Sequence, residues 1–241
     1  MAIKFSFICS AIRSELYMRV CESVGFKTNI PHEIIYAGFS PPTQKMPSNF
    51  KYIVTHAFPA WAVEIAARFA VGEYIIMMPD DCLLSEGYIN RLSYYIDKLG
   101  MEKCLIGGRY KYLNKPSCAD MSLTVDMDDP KAPVTTICQA FNREVWNKIG
   151  GLDSRFTGIF YDIDMAMRFY EYGYTPFIMP DAYVEEDRFT VIPHTLLKKT
   201  GKESRNLLDT LWRKEDGRYS LKRSLPVIPL TDEQVKNSIE K

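Results

Sequence analysis

Short apolar segments alternate with amphipathic segments from residue 4 to about residue 107, and this alternation constrains the fold most. The apolar, β-rich runs are 4–11, 32–39, 50–56 and 73–78. Between and after them lie segments with helical spacing, for which we predict starts at Ser14, Pro59 and Ser85. Strands that alternate with helices form parallel sheets covered on both faces, so the first half predicts such an α/β sheet.

The second half continues the pattern less regularly. Residues 107–133 form a long excursion, for which we expect a hairpin or a lid. A strand at 134–141, a helix at 142–150, a helix at 161–173 and a strand at 174–180 follow. We therefore predict one α/β domain over 1–190, with halves at 1–107 and 108–190, and a C-terminal extension over 191–241.

Composition excludes several classes of protein. The formal net charge is zero, which argues against a globally basic nucleic-acid binder. The six cysteines are far apart and lie partly in apolar runs, so we expect free thiols in a reducing compartment rather than disulfides or a zinc site. No apolar stretch approaches the roughly 20 residues of a membrane span, and the N-terminus does not resemble a signal peptide. We expect a cytoplasmic protein without integral membrane association.

Two adjacent carboxylates, Asp80 and Asp81, follow the fourth apolar run directly. Ligands of open parallel sheets bind beyond the carboxyl ends of the strands, where these acids are expected. Mg²⁺ and Mn²⁺ take oxygen ligands and commonly keep phosphates among them, so the pair is suited to holding a cation against a nucleotide diphosphate. The alternative is a turn that ends the strand, since Pro-Asp-Asp is common turn chemistry.

A second pair of acids, Asp162 and Asp164, opens the helix predicted at 161–173. Two residues that are two positions apart do not share a helical face, so one can face a cleft while the other supports the helix start. Both can also act only as N-terminal helix acids, which favour the helix dipole. Arg168, further along this helix, is expected to pair with an acid.

Two blocks of sequence together resemble the family 2-type glycosyltransferases of the GT-A fold. The first is GEYIIMMPDDCLL, similar to the metal-binding D-x-D region of that family. The second is REVWNKIGGLDSRFTGIFYDIDMAMRFYEYGYTPFIMP, similar to its acceptor half. The resemblance covers about residues 4–187, and it implies a GT-A-like domain that transfers a sugar from a nucleotide-sugar donor.

The resemblance implies roles for the four acids. Asp81 would bind Mn²⁺ or Mg²⁺ at the donor diphosphate, and Asp80 would contact the donor ribose or sugar. Asp162 would be the general base of an inverting transfer, and Asp164 would shape the acceptor site or the helix start. These roles agree with the chemistry, because a departing diphosphate requires charge neutralisation and an attacking hydroxyl requires a base.

Departures from the family pattern determine the remaining candidates. The first metal-motif acid is replaced by Pro79, and no acid follows the second strand in YAGFS, 36–40. The family histidine after the last core strand is also absent, so Glu186 and His194 are candidates for completing the metal shell. The candidate donor contacts are Ser10 and Arg13 after the first strand, Arg68 on the helix before the metal motif, and Lys198 in the tail.

The tail is basic: residues 194–223 carry nine Lys and Arg against four acids. It is expected to act as a lid on the donor diphosphate, to bind a polyanionic acceptor, or to form a solvated helix. Trp212 in this tail is a candidate platform for a sugar.

We therefore predict a glycosyltransferase with a UDP-sugar as the favoured donor and a hydroxyl acceptor. The acceptor is either a saccharide or a hydroxymethylated base in DNA, since the compact chain also resembles small phage-type DNA glycosyltransferases. Two other classes stay open. A nucleotidyltransferase would need a glycine-rich loop after the first strand, which SAIRSELY lacks. A non-catalytic sugar- or nucleotide-binding module would tolerate loss of Asp162.

Overall fold

The computed structural model describes residues 2–100, 104–112, 137–186, 194–215, 219–220 and 222–239. The side chains of residues 194–199 are not among the described ones. Most of the excursion predicted as a hairpin or lid, residues 113–136, also lies outside the described residues.

One eight-stranded sheet forms the centre of the domain, in the order β3-β2-β1-β4-β7-β6-β8-β5. Its strands are β1 (Phe5–Ser10), β2 (His32–Gly38), β3 (Phe50–Val54), β4 (Tyr74–Met77), β5 (Cys82–Leu84), β6 (Cys104–Tyr112), β7 (Ile137–Asn142) and β8 (Thr175–Glu186). The first four strands are mutually parallel, and β6 and β8 run in the same direction. Only β7 and β5 are antiparallel to their neighbours. The sheet is therefore mostly parallel, as the strand and helix alternation predicts.

Seven helices accompany the sheet in the described part of the chain. They are α1 (Tyr17–Gly25), α2 (Pro59–Arg68), α3 (Tyr88–Leu99), α4 (Arg143–Lys148), α5 (Tyr161–Glu171), α6 (His194–Trp212) and α7 (Asp232–Ser238). Alternate residues of β1 point into two different cores. Phe5 and Phe7 pack with α1 and α3, whereas Ile8 packs with α2, α5 and α6. Burial on both faces explains why the strands read as continuous apolar runs.

The direction of the strands defines two edges of the sheet. We call the edge where β1 to β4 end the carboxyl edge. β8 begins beside the first residue of β6, at the opposite edge, and α5 ends shortly before β8 begins. Because α5 has 11 residues and thus a length of about 16 Å, its first turn lies towards the carboxyl edge.

Two predicted helix starts are corrected by the structure. The first helix begins at Tyr17 rather than Ser14, and its N-cap Leu16 makes no side-chain capping bond. The third begins at Tyr88 rather than Ser85, because Cys82–Leu84 form a short strand paired with β8. Ser85 caps this pairing instead: its Oγ accepts a hydrogen bond from the amide of Tyr183. Tertiary pairing thus overrides the local helix signal.

Part of the predicted C-terminal extension, 191–241, packs into the same core as the rest of the domain. Leu208, Leu211 and Trp212 of α6 are buried with residues of α2 and α5. Beyond α6 the chain forms a bridge between Asp153 and Pro229 and another between Thr55 and Ile239. The prediction of Trp212 as an exposed sugar platform is wrong, since its side chain is buried.

The cysteines at positions 9, 21, 82 and 138 are free and buried, as expected from their spacing. No helix in the described part of the chain is long and apolar enough to cross a lipid bilayer.

The chain after β1 and the end of β2 approach each other closely at Gly38. A Cβ at this position would lie 2.0 Å from the carbonyl oxygen of Ala11, so the backbone itself would have to move. We expect Gly38→Ala to destabilise the domain by about 2 kcal/mol, as overpacking does elsewhere. Chemical denaturation measures this. Gly25→Ala is the matched control, because nothing lies within 4 Å of its Cβ, and it is expected to leave stability unchanged or slightly raised. Equal behaviour of the two variants would contradict the close approach.

Candidate active site

A buried arginine binds the two carboxylates that follow β4. The guanidinium of Arg13 pairs with Asp80 through Nη1, and its Nη2 lies 3.1 Å from Oδ2 of Asp81. Asp80 also accepts hydrogen bonds from the backbone amides of Ile12 and Arg13, at 2.7 and 2.9 Å. Because β1 and β4 are parallel neighbours, the loop after β1 and the acids after β4 meet at the carboxyl edge.

The two acids differ in what they can offer a ligand. Asp80 is 2% exposed, and both of its carboxylate oxygens already accept hydrogen bonds. Burial raises the pKa of the Asp81 carboxyl to about 6, Arg13 opposes this rise, and the charges of Asp80 and Glu186 add to it. Negative charge at Asp81 is therefore only partly compensated, and a further cation would be favourable there.

The set of oxygen atoms near Asp81 fits a divalent cation. Glu186 lies beside Cys82 in the pairing of β8 with β5, next to Asp81 in the chain. Carboxylates are the ligands that Mg²⁺ and Mn²⁺ prefer, and one or two of them commonly suffice when phosphates supply the rest. Among the described residues there is no group of three or more His, Cys, Asp or Glu that would hold a metal unaided. A cation here would thus need ligands from a bound phosphate.

The first turn of α5 brings Asp162 to the same region. The pKa of the Tyr161 hydroxyl is raised by burial and then by the charges of Asp162, Cys9 and Asp80. The charges of Asp80 and Asp162 therefore both act on the Tyr161 hydroxyl. This agrees with the direction of α5, whose first turn lies towards the carboxyl edge.

The carboxyl of Asp162, in the first turn of α5, has a shifted pKa. Its residue is exposed to solvent, yet the surrounding protein raises the pKa of its carboxyl by desolvation. Phe160, which precedes it, has a φ of 68°, an uncommon conformation for a residue with a side chain. Such strain recurs at functional sites, and here it turns the chain into α5.

Asp164 faces the opposite way and does not cap the helix. Its Oδ2 accepts from Nε of Arg168 at 3.0 Å, which confirms that Arg168 pairs with an acid. Its Oδ1 accepts from Nε1 of Trp212 at 2.9 Å and from Nε of Arg223 at 3.1 Å. Asp164 thereby holds α5, α6 and the C-terminal segment together beneath the first turn that carries Asp162.

The G-G-L-D turn, residues 150–153, is structural. A Cβ at Gly151 would lie 2.5 Å from Oε1 of the buried Glu64, and its φ of 65° is also unfavourable for other residues. Asp153 at the end of the turn accepts hydrogen bonds from Arg155 and Arg223. The turn thus contacts α2 through Glu64, and its Asp153 binds Arg223, which also binds Asp164.

The other predicted donor contacts and the predicted metal ligand His194 lie in three different parts of the structure. Ser10 ends β1 at the carboxyl edge, three residues before Arg13. Arg68 is not brought to this region: it ends α2, shortly before β4 begins, and pairs with Glu64 and Asp232. His194 and Lys198 lie in the first two turns of α6, and their side chains are outside the described residues.

Three residues of the site were not predicted from the sequence. Tyr161 was not selected as a site residue, although it precedes Asp162 directly. Glu64 and Arg223 were also not selected, because their partners are distant in the chain, 88 residues for the bond of Glu64 to Leu152 and 59 for that of Arg223 to Asp164. No local pattern signals contacts at that separation.

No family model matches the chain, and no curated protein matches it by sequence. Solved structures do match its fold. The structure of S. aureus TarS is 16% identical with a TM-score of 0.62, over 86% of this chain and 40% of that one. Residues 1–349 of TarS in complex with UDP-GlcNAc are 14% identical with a TM-score of 0.59, over 86% of this chain and 66% of that one. The same fragment in complex with UDP is 14% identical with a TM-score of 0.57, over 86% of this chain and 65% of that one.

The likeness confirms the predicted GT-A-like α/β domain. It spans between 40% and 66% of these TarS chains, so TarS has further chain to which nothing in this likeness corresponds.

The raised pKa of Asp81 gives a prediction for stability. A carboxyl whose pKa is higher in the folded state than its ordinary 3.8 stabilises the fold below that value, and the benefit is lost as the pH rises through about 6. We therefore expect Asp81→Asn, without added metal, to raise the free energy of unfolding by roughly 1 kcal/mol at pH 8. The gain over wild type should shrink as the pH is lowered from about 6 towards 4.

Urea denaturation at pH 8 and pH 4 measures this gain. The control is Asp97→Asn, which removes an exposed acid of α3 and is expected to change stability by less than about 0.5 kcal/mol at both pH values. Loss of stability for Asp81→Asn at pH 8 would show that its pair with Arg13 outweighs its burial.

Proposed function

We propose that this chain transfers a sugar from a nucleotide-sugar donor to a hydroxyl acceptor with inversion at the anomeric carbon. The observation that carries the proposal is the proximity of two groups of acids at one edge of the sheet. The charges of Asp80, which pairs with Arg13, and of Asp162 both raise the pKa of Tyr161. Such a transfer needs one charged group at the leaving diphosphate and one base at the attacking hydroxyl.

The donor is expected at the cluster after β4. Ligands of open α/β sheets bind at the carboxyl edge, and TarS, whose fold is similar, has been solved with UDP-GlcNAc and with UDP. We propose a UDP-sugar as the donor. The guanidinium of Arg13, whose Nε is buried without a hydrogen-bond partner, provides positive charge next to the expected diphosphate.

A divalent cation, Mn²⁺ or Mg²⁺, fits the same place. Asp81 and Glu186 would hold it, with the donor phosphates as its other ligands. When bound, it would neutralise charge on the departing diphosphate. His194 stays a candidate ligand.

The chemical step follows from the positions of these groups. The acceptor hydroxyl attacks the anomeric carbon while Asp162 takes its proton, and a carboxyl of raised pKa is suited to this role near neutral pH. The bond between that carbon and the phosphate oxygen breaks, and its electron pair leaves with the nucleoside diphosphate. Asp80 holds Arg13 and the loop after β1 in place during the step.

A saccharide is the acceptor class that the observations favour over DNA. Several basic residues of the C-terminal region are neutralised by acids: Arg205 and Arg213 pair with Asp209, and Arg223 pairs with Asp153 and Asp164. These pairs leave less positive charge for phosphate contacts than the sequence suggests. We therefore propose a saccharide hydroxyl rather than a hydroxymethylated base in DNA.

Donor binding tests the first part of the proposal. Thermal shift with UDP-, GDP-, CMP- and TDP-sugars, each with and without Mn²⁺, is expected to show stabilisation by the UDP-sugar, larger when Mn²⁺ is present. Asp81→Asn should remove the increment that Mn²⁺ adds. A protein that responds to none of these donors would contradict the transferase assignment.

Substitution of the base tests the second part. We expect Asp162→Asn to lower the rate of sugar transfer at least ~100-fold while the Kd for UDP changes less than about twofold, because the base acts only in the chemical step. Transfer is measured by release of UDP with a saccharide acceptor.

The matched control for Asp162→Asn is Glu144→Gln, which removes an exposed acid from the first turn of α4. If Asp162 serves only the helix dipole, the two variants will show similar, small losses of stability and no selective loss of transfer.

A further inference from the structure

A second cavity lies at the end of α5 that is remote from Asp162. Its volume is about 340 Å³. It is lined by Arg168, Glu171 and Tyr172 at the end of α5, by Ile149, and by residues 223–227 of the C-terminal segment. Arg168 is six residues beyond Asp162, or about 9 Å along the helix axis, so this cavity is separate from the candidate active site.

A group of charged side chains lies beneath this cavity. Three guanidinium groups, those of Arg155, Arg168 and Arg223, bind two buried carboxylates there. The carboxylates are Asp153 and Asp164, which are 0% and 1% exposed at the side chain. Glu171 at the cavity wall is a third acid and accepts from the backbone amide of Arg223 at 3.3 Å, so the formal charges of the group balance.

The two carboxylates already accept several hydrogen bonds each. Asp164 already accepts from Arg168, Arg223 and Trp212. Asp153 already accepts from Arg155 through both of its oxygens and from Arg223.

Arg168 retains a donor without a partner. Its side chain is 4% exposed; its Nε donates to Asp164 and its Nη1 to the carbonyl oxygen of Ile149. Its Nη2 is buried and makes no hydrogen bond. A buried guanidinium nitrogen without an acceptor is rare and unfavourable, and Arg168 is also part of the cavity wall.

We propose that this cavity is a second binding site, for a small oxyanion that is a phosphate or a carboxylate. The anion supplies the acceptor that Nη2 of Arg168 lacks. Guanidinium groups bind both kinds of oxyanion by paired hydrogen bonds.

The rest of the wall indicates an anion that carries an apolar group. Leu225 and Tyr172 are 45% exposed at the cavity, and Pro226 and Val227 lie beside them. Lys148 lies 5.2 Å from the centre of the Tyr172 ring and adds positive charge nearby. Glu171 is the one acid among the residues that line the cavity, and its charge opposes the binding of an anion.

NMR titration of the whole chain tests the proposal. The Nε–Hε resonances of Arg168 and Arg223 are followed as inorganic phosphate or benzoate is added, with sodium chloride at equal ionic strength as the reference. We expect saturable shifts with at least one of the two oxyanions and none with chloride. Tighter binding of benzoate would identify a carboxylate ligand, and tighter binding of phosphate a phosphorylated one. Shifts that do not saturate, or that chloride reproduces, would overturn the proposal.

Substitutions at exposed positions establish where the anion binds, and they leave the buried ion pairs of Asp153 and Asp164 intact. Leu225→Glu places a carboxylate at the cavity and is expected to weaken binding at least fivefold. Ile228→Glu adds the same charge at an exposed residue that does not line the cavity, and is expected to change the Kd less than twofold. Glu171→Gln should strengthen binding. Equal effects of the two glutamates, or no effect of Glu171→Gln, would mean that the anions bind elsewhere.

Discussion

The pairing of Arg13 with Asp80 and Asp81 is the interaction on which the candidate site depends. It joins the loop after β1 to the acids after β4, and Asp80 adds two bonds to the backbone of that loop. A buried carboxylate without a cation is unfavourable, so Arg13 and Asp80 require each other. Because Asp80 is fully used in this pairing, Asp81 is the acid that remains able to respond to a ligand. The arrangement therefore separates an acid whose oxygens are already used from one that is less fully paired, within an adjacent pair.

A second set of buried ion pairs supports α5, the helix that carries Asp162. Asp153 and Asp164 bind Arg223 of the C-terminal segment, and Asp164 also binds Arg168. Asp164 and Asp162 are two residues apart, so the helix directs one into the buried network and leaves the other exposed to solvent. The C-terminal segment is thus part of the support for α5. In the same way, the burial of Trp212 and its bond to Asp164 explain why a basic and aromatic tail does not form a separate surface.

The sequence predicts the elements of this fold well and their contacts less well. Apolar runs and helical spacing identify β1 to β4, α2 and α5 because burial on both faces of a parallel sheet leaves a local pattern. Asp80, Asp81 and Asp162 are recognisable because acids follow strand ends or open a helix. The pairing of Arg13 with Asp80 joins residues 67 positions apart, and Arg223 reaches Asp153 across 70. Contacts of this kind depend on topology and leave no local pattern. Arg68 is therefore predicted as a donor contact although it lies at the end of α2 that is away from the carboxyl edge. No pattern in the sequence singles out Arg223.

The central claim is that Arg13, Asp81 and Asp162 line one donor cleft at the carboxyl edge. A crystal structure of the chain with UDP tests it most directly. The account predicts electron density for the diphosphate beside Arg13 and Asp81, with the carboxylate of Asp162 facing the open space next to it. UDP bound at another face of the domain, or a diphosphate from which Asp162 is screened by intervening protein, would contradict it.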